Sequence, residues 1–182
     1  MKLIGISGLA RSGKDSFYEK CIPFLEQKGF KYKRFAFADA LKEECDPFLK
    51  DNVGISAFTE NNKEKEIIRP LLVVYGTHIR RKMNKNCWIE KIEPKVKDSI
   101  SEKTFSFITD VRFDNEIEWV HSLGGETIHI TRKGIIPPNQ DEKYNDPILR
   151  NKSKFLVEWG DFQEEKLEYI NKMVSSIMNS IL

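Results

Sequence analysis

Gly8-Leu9-Ala10-Arg11-Ser12-Gly13-Lys14-Asp15-Ser16 is the stretch whose reading decides the fold. It follows Leu3-Ile4-Gly5-Ile6-Ser7, a short apolar run that reads as a buried strand. Residues 14–28 come next, with Phe17, Cys21, Phe24 and Leu25 at helical spacing and Gly29 as a stop. A GxxxxGK sequence between a strand and a helix is a phosphate-binding loop. Gly8 and Gly13 let the backbone turn tightly and approach an anion. Successive N–H groups, running through Ala10, Arg11 and Ser12 to the helix N-terminus, form the cradle. Lys14 puts a positive charge where the β/γ oxygens of ATP would lie. A Ser or Thr commonly follows that Lys and serves Mg²⁺; here the position is Asp15, followed by Ser16. A carboxylate can serve Mg²⁺ directly or through water, and Ser16 is placed to contact an inner phosphate.

Around this loop the chain alternates strand and helix. Strands are expected at 33–37, 105–109, 127–131 and 155–159, and helices at 39–49, 67–83, 87–100, 114–122 and 162–182. Asp39 is a candidate helix cap. Residues 51–66 are polar and read as a loop entering a helix; residues 133–152, with Pro137, Pro138 and Pro147, read as a loop or lid. The alternation implies an α/β fold with a mostly parallel sheet flanked by helices.

Composition bounds the rest. At 182 residues the chain fits about one domain. The net charge of +2 argues against a purely electrostatic nucleic-acid binder. The run Ile79-Arg80-Arg81-Lys82-Met83-Asn84-Lys85 therefore reads as a solvated helix face. No apolar run reaches the roughly 18 residues of a membrane span, and the first residues do not form a signal peptide. Cys21, Cys45 and Cys87 are scattered and read as reduced thiols of a cytoplasmic protein. His78, His121 and His129 form no zinc pattern.

Thr109-Asp110-Val111-Arg112-Phe113 ends the strand expected at 105–109. An acid at such a strand end, beside a phosphate loop, is placed to organise Mg²⁺; Asp15 and Asp110 are the candidate metal ligands. Arg112 can grip a phosphoryl group with two parallel bonds. Lys14, Asp110 and Arg112 are thus the candidate catalytic residues. Lys42, Arg69, Arg80 and Arg81 could meet a second anionic substrate, and Trp88 or Tyr75 could stack on a base. The loop alone is shared by GTPases, motors and small-molecule kinases. The chain is short for a motor, and no NKxD-type guanine signal is present.

Four stretches resemble the deoxynucleoside monophosphate kinases of bacteriophages. They are Gly8 to Ser16; Phe35-Ala36-Phe37-Ala38-Asp39-Ala40-Leu41-Lys42; Arg69-Pro70-Leu71-Leu72 through Tyr75-Gly76-Thr77 to Arg80 and Trp88-Ile89; and Thr109-Asp110-Val111-Arg112-Phe113-Asp114-Asn115-Glu116, continuing to Gly124-Gly125. Phe155 to Asp161 is similar to the last strand and turn of that family. The resemblance implies a P-loop fold of nucleoside-monophosphate-kinase type in a single domain, residues 1–182. About 38–100 would form a helical NMP-binding region and about 133–152 a lid. It implies the reaction ATP + dNMP → ADP + dNDP with Mg²⁺, in the host cytoplasm if the gene is a phage's, by a monomer or homodimer. The substrate side would involve Asp39, Lys42, Arg69, Gly76, Thr77, Arg80, Trp88 and Arg112. Arg132, Lys133, Lys143 and Arg150 would stand in or near the lid. Two other readings stay open: a P-loop kinase of another small phosphorylated substrate, such as a coenzyme precursor or phosphomevalonate, and a binding module without transferase activity.

Overall fold

The computed structural model describes residues 2–102, 104–159 and 167–182. The chain forms two compact units, Met1–Phe35 with Lys95–Leu182, and Ala36–Pro94.

The first unit is built on five parallel strands: β1 (Lys2–Ser7), β2 (Tyr32–Phe35), β3 (Phe105–Val111), β4 (Glu126–Arg132) and β5 (Phe155–Trp159). Their order is β2-β3-β1-β4-β5, so β1 lies at the centre. Alternation along β1 sorts its side chains between the two faces. Ile4 and Ile6 join a core with Phe17, Cys21 and Leu25 of α1 (Lys14–Gln27) and Val174 and Met178 of α8 (Leu167–Ile181). Each such side chain, fully buried, contributes about 1.5–3 kcal/mol. On the other face, a Cβ at Gly5 would stand 3.2 Å from Val120 of α6 (Asp114–Ser122), so that helix packs close on β1. The chain leaves the C-terminal end of the central strand directly into the Gly8–Lys14 loop, where ligands of open α/β sheets bind.

The second unit is helical. It holds α2 (Phe37–Val53), α3 (Asn62–Val73), a π-helical segment Val74–Arg80, the single turn α4 (Arg81–Met83) and the start of α5 (Cys87–Ser101). Cys45, Leu49, Ala57 and Ile68 form its core, with Leu41, Leu71, Leu72 and Tyr75 packed around them.

Several boundaries differ from the sequence reading. Phe37 opens α2 and is not a strand residue, and Ala36, not Asp39, takes the N-cap position. Asp39 lies in the first turn, where its backbone N–H donates to Ala36 O. The loop expected at 51–66 shrinks, because α2 continues to Val53 and stops at Gly54 in the left-handed conformation. Asp110 lies inside β3, which runs on to Val111. The expected loop 133–152 holds a helix, α7 (Gln140–Lys152). Its buried residues are Glu142, Asn145 and Leu149, a mostly polar packed face that hydrophobic periodicity does not register. Gly160 and Asp161, and the expected start of the last helix at 162–166, lie outside the described residues.

Candidate active site

The loop after β1 has the backbone its glycines anticipate. Gly8 sits at φ 134° and Gly13 at φ 102°, and Arg11 adopts φ 67° between them. A Cβ at Gly8 would lie 2.2 Å from Ile130 O, so β4 leaves no room for any other residue. Ser12 Oγ is buried and has no hydrogen-bond partner among the described residues. The loop then enters α1, whose N-terminus adds its partial positive charge.

Lys14 is only 7 % exposed, and its Nζ donates to Gly8 O and Leu9 O, both at 2.8 Å. Burial lowers its pKa to about 8, and the Arg112 guanidinium pushes the same way. Glu142, Asp15 and Asp110 pull it back up. These charges therefore share one electrostatic site around the loop. Asp15 is exposed and Asp110 half-buried. Among the described residues, no three His, Cys, Asp or Glu side chains group to hold a metal. Mg²⁺ takes one or two carboxylates plus phosphate oxygens, and Asp15 and Asp110 are the carboxylates beside Lys14 that could serve one.

Arg112 follows β3 and is held from two sides. Glu116, fully buried in α6, accepts the backbone N–H of Arg112 at 2.7 Å and that of Phe113 at 3.0 Å. Glu142 of α7 accepts Arg112 Nη1 on Oε1 at 3.0 Å and the Ala10 N–H on Oε2 at 2.8 Å. Asn139 caps α7 by accepting the Glu142 N–H at 2.8 Å. Deeper in, His129 is fully buried with Nδ1 3.0 Å from Ser7 Oγ. Burial, then Arg150 and Lys14, lower its pKa to about 4. His129 is neutral near pH 7, so its 3.6 Å approach to Asp146 Oδ1 is not an ion pair. Burial and the nearby Glu142 raise the pKa of Asp146, against the pull of Lys14 and Arg150.

Of the expected lid residues, Lys133, Lys143 and Arg150 are exposed and Arg132 is half-buried.

In the second unit, Gly76, Arg80 and Trp88 come together. Trp88 is buried; its Nε1–H donates to Gly76 O at 3.2 Å, and the Arg80 guanidinium lies 5.7 Å from its ring. A Cβ at Gly76 would stand 2.7 Å from Leu41 Cδ2. Glu44 gathers three partners: Arg80, with Nε in an ion pair 2.9 Å from Oε1 and Nη2 donating to Oε2 at 3.4 Å, Lys91, and the Tyr75 hydroxyl. Burial raises the pKa of Glu44, but the hydrogen bonds from Lys91 and Tyr75 prevail and hold it low. Beside Glu44 lies an apolar cavity of about 440 Å³, walled by Phe48, Leu71, Val74, Tyr75 and Ile79. Lys42 stands 5.6 Å from the Phe58 ring, Thr77 is half-buried and Arg69 is exposed.

Sequence reasoning missed Glu142, Glu116, Glu44 and His129. Asn139-x-x-Glu142 has the spacing of a capping box and could have announced α7. No local pattern announces Glu44, whose partners come from three other turns.

The sheet order and the loop define a P-loop fold. Dephospho-CoA kinase from Campylobacter jejuni shares the fold with a TM-score of 0.54, covering 100% of both chains at 16% identity. Kti12 of Chaetomium thermophilum, solved in complex with ADP-AlF3, does so with a TM-score of 0.51, 99% coverage of each chain and 12% identity. Residues 18–157 match the model of the deoxynucleotide monophosphate kinase family, and the chain belongs to that family. A protein of Acanthamoeba polyphaga mimivirus, provisionally named a deoxynucleotide monophosphate kinase, is 30% identical over 152 residues, 74% of this chain and 76% of its own length. Among the described residues, no helix is long and apolar enough to cross a membrane.

Proposed function

We propose that this nucleotide kinase transfers the γ-phosphoryl group of ATP, with Mg²⁺, to a deoxynucleoside 5′-monophosphate. The observation that carries the reading is the convergence of Lys14 and Arg112 on one phosphate loop, in a chain of this family. Protonated Lys14 would leave the carbonyls of Gly8 and Leu9 for the β/γ oxygens. Arg112 would hold the moving phosphoryl group through parallel N–H bonds. The acceptor's phosphate oxygen attacks the γ-phosphorus, the bond to the β-phosphate oxygen breaks, and ADP leaves. Positioning and charge neutralisation supply the catalysis, and no covalent intermediate is needed. Bound Mg²⁺ would neutralise charge on the phosphates, with Asp15 and Asp110 as its carboxylates.

The acceptor is assigned to the second unit. Arg80, with Lys42 and Arg69, would meet its phosphate; Asp39, Gly76, Thr77 and Trp88 would shape its surroundings. Residues 133–152 would act as the lid, with Arg132, Lys143 and Arg150 as its cations, excluding water from the transfer. A coupled ADP-release assay against the four deoxynucleoside monophosphates, their ribose counterparts and a no-acceptor blank tests this. Turnover that requires a deoxynucleotide is expected. ADP release without an acceptor, or activity only with a non-nucleotide phosphate ester, would overturn the reading.

A further inference from the structure

We propose that Glu142 is an internal competitor for the phosphate site, and so helps determine which anions the loop accepts. Its two carboxylate oxygens divide between the Ala10 N–H at 2.8 Å and Arg112 Nη1 at 3.0 Å. Two oxygens of one phosphate group would bridge a backbone N–H and a guanidinium in the same way. The proposal rests on reading Gly8–Ser16 as a phosphate loop.

The carboxylate is 8 % exposed, although a lone buried charge is costly. It persists there because two cations need an anion. Lys14 and Arg112 repel each other, and Glu142 offsets that repulsion, as a phosphate would. A phosphate arriving at the same donors would meet the negative charge of Glu142, with Asp146 one turn further along α7 lining the same small cleft. Glu142 and a phosphate group therefore exclude one another. Inorganic phosphate, with few contacts, would displace the carboxylate poorly. A polyphosphate, bonded along the whole loop, would displace it and release α7 from its ligand-free position on the loop, before the lid closes over both substrates.

Calorimetric titration with inorganic pyrophosphate and with ADP tests the proposal on four proteins. They are the wild type, the near-isosteric Glu142→Gln, Glu142→Ala, and Glu19→Gln, which removes one exposed charge of α1. Both Glu142 variants should bind pyrophosphate about tenfold more tightly, the worth of one charge-assisted hydrogen bond. Glu19→Gln should match the wild type. Equal or weaker binding by Glu142→Gln would overturn the competitor role while leaving the loop reading intact. If wild type and variants all fail to bind either ligand, the loop reading itself falls. A second measurement uses the wild type alone: pyrophosphate should speed hydrogen exchange of the α7 backbone. Unchanged or slower exchange would overturn the proposal even if neither variant folds.

Discussion

Lys14 Nζ donates to the carbonyl oxygen of Gly8 at 2.8 Å, so the cation of the loop is tethered to the loop's own first glycine. A second bond to Leu9 O fixes its direction. The tether holds the charge at the turn instead of letting a four-carbon stem wander through solvent. Lys14→Met keeps much of the volume and removes the charge. Phosphoryl transfer should fall by about 10²–10³-fold, as for removal of one preorganised electrostatic contact. Thermal unfolding should change little, because the buried cation was itself costly. Single-turnover ADP formation and a melting curve check both; transfer at near wild-type rate would remove Lys14 from the mechanism.

The low pKa of Lys14 gives a proton-linkage signature. The group is held at about 8, against 10.5 for a free lysine, mainly by burial and then by Arg112. Below pH 8 it is charged; as pH rises through 8, the ligand-free protein loses the cation. Phosphates beside it favour the charged form, so nucleotide binding near pH 8 should take up a proton. Titrations in two buffers of different protonation enthalpy should show that uptake, and kcat/KM for ATP should fall above pH 8. Identical binding heats in both buffers would contradict the assignment.

Gly8 and Gly124 separate two effects of adding a methyl group. Gly124 has φ 72° with nothing within 4 Å of a built Cβ, so Gly124→Ala meets only backbone strain, about 1 kcal/mol. At Gly8 the Cβ would meet Ile130 O at 2.2 Å and Ser12 Oγ at 2.9 Å. Gly8→Ala must move the loop off β4, at about 2–4 kcal/mol, and should also weaken nucleotide binding. Denaturant midpoints of the two variants, with nucleotide titrations, provide the comparison. Equal costs would mean that the loop relaxes freely.

The P-loop was legible because its chemistry is local. Strand, glycines, Lys14 and helix follow one another within a few residues, and β1, β3 and β4 are short, nearly continuous buried runs. The missed parts are those whose logic is not local. The packed face of α7 is built from Glu142 and Asn145 with Leu149, and Glu142 bonds to the Ala10 N–H of the loop and to Arg112. Hydrophobic periodicity is silent there, and Pro147 inside the helix argues against it. The π-helical segment Val74–Arg80 escaped for a related reason: one altered turn leaves the pattern of apolar residues almost unchanged. The carboxylate sites at Glu44 and Glu116 depend on partners that only the folded chain brings close.

Glu44 carries the last prediction. It holds Arg80, Lys91 and Tyr75 at once, and Arg80 is also stacked near Trp88. Arg80 therefore has a fixed direction, which a phosphate-binding guanidinium needs more than it needs a neighbouring negative charge. Glu44→Gln keeps one acceptor oxygen for Tyr75 but loses the charge that orients Arg80 and Lys91. If Arg80 meets the acceptor phosphate, KM for the deoxynucleotide should rise about tenfold, with kcat and KM for ATP nearly unchanged. The loss of stability should be small, about 1 kcal/mol, because the ion pairs are partly solvated. Glu44→Asp should restore part of the acceptor affinity, since the charge returns on a shorter stem. A fall in kcat with acceptor KM intact would mean that the cluster serves the packing of its unit, and Arg80 would leave the list of acceptor contacts.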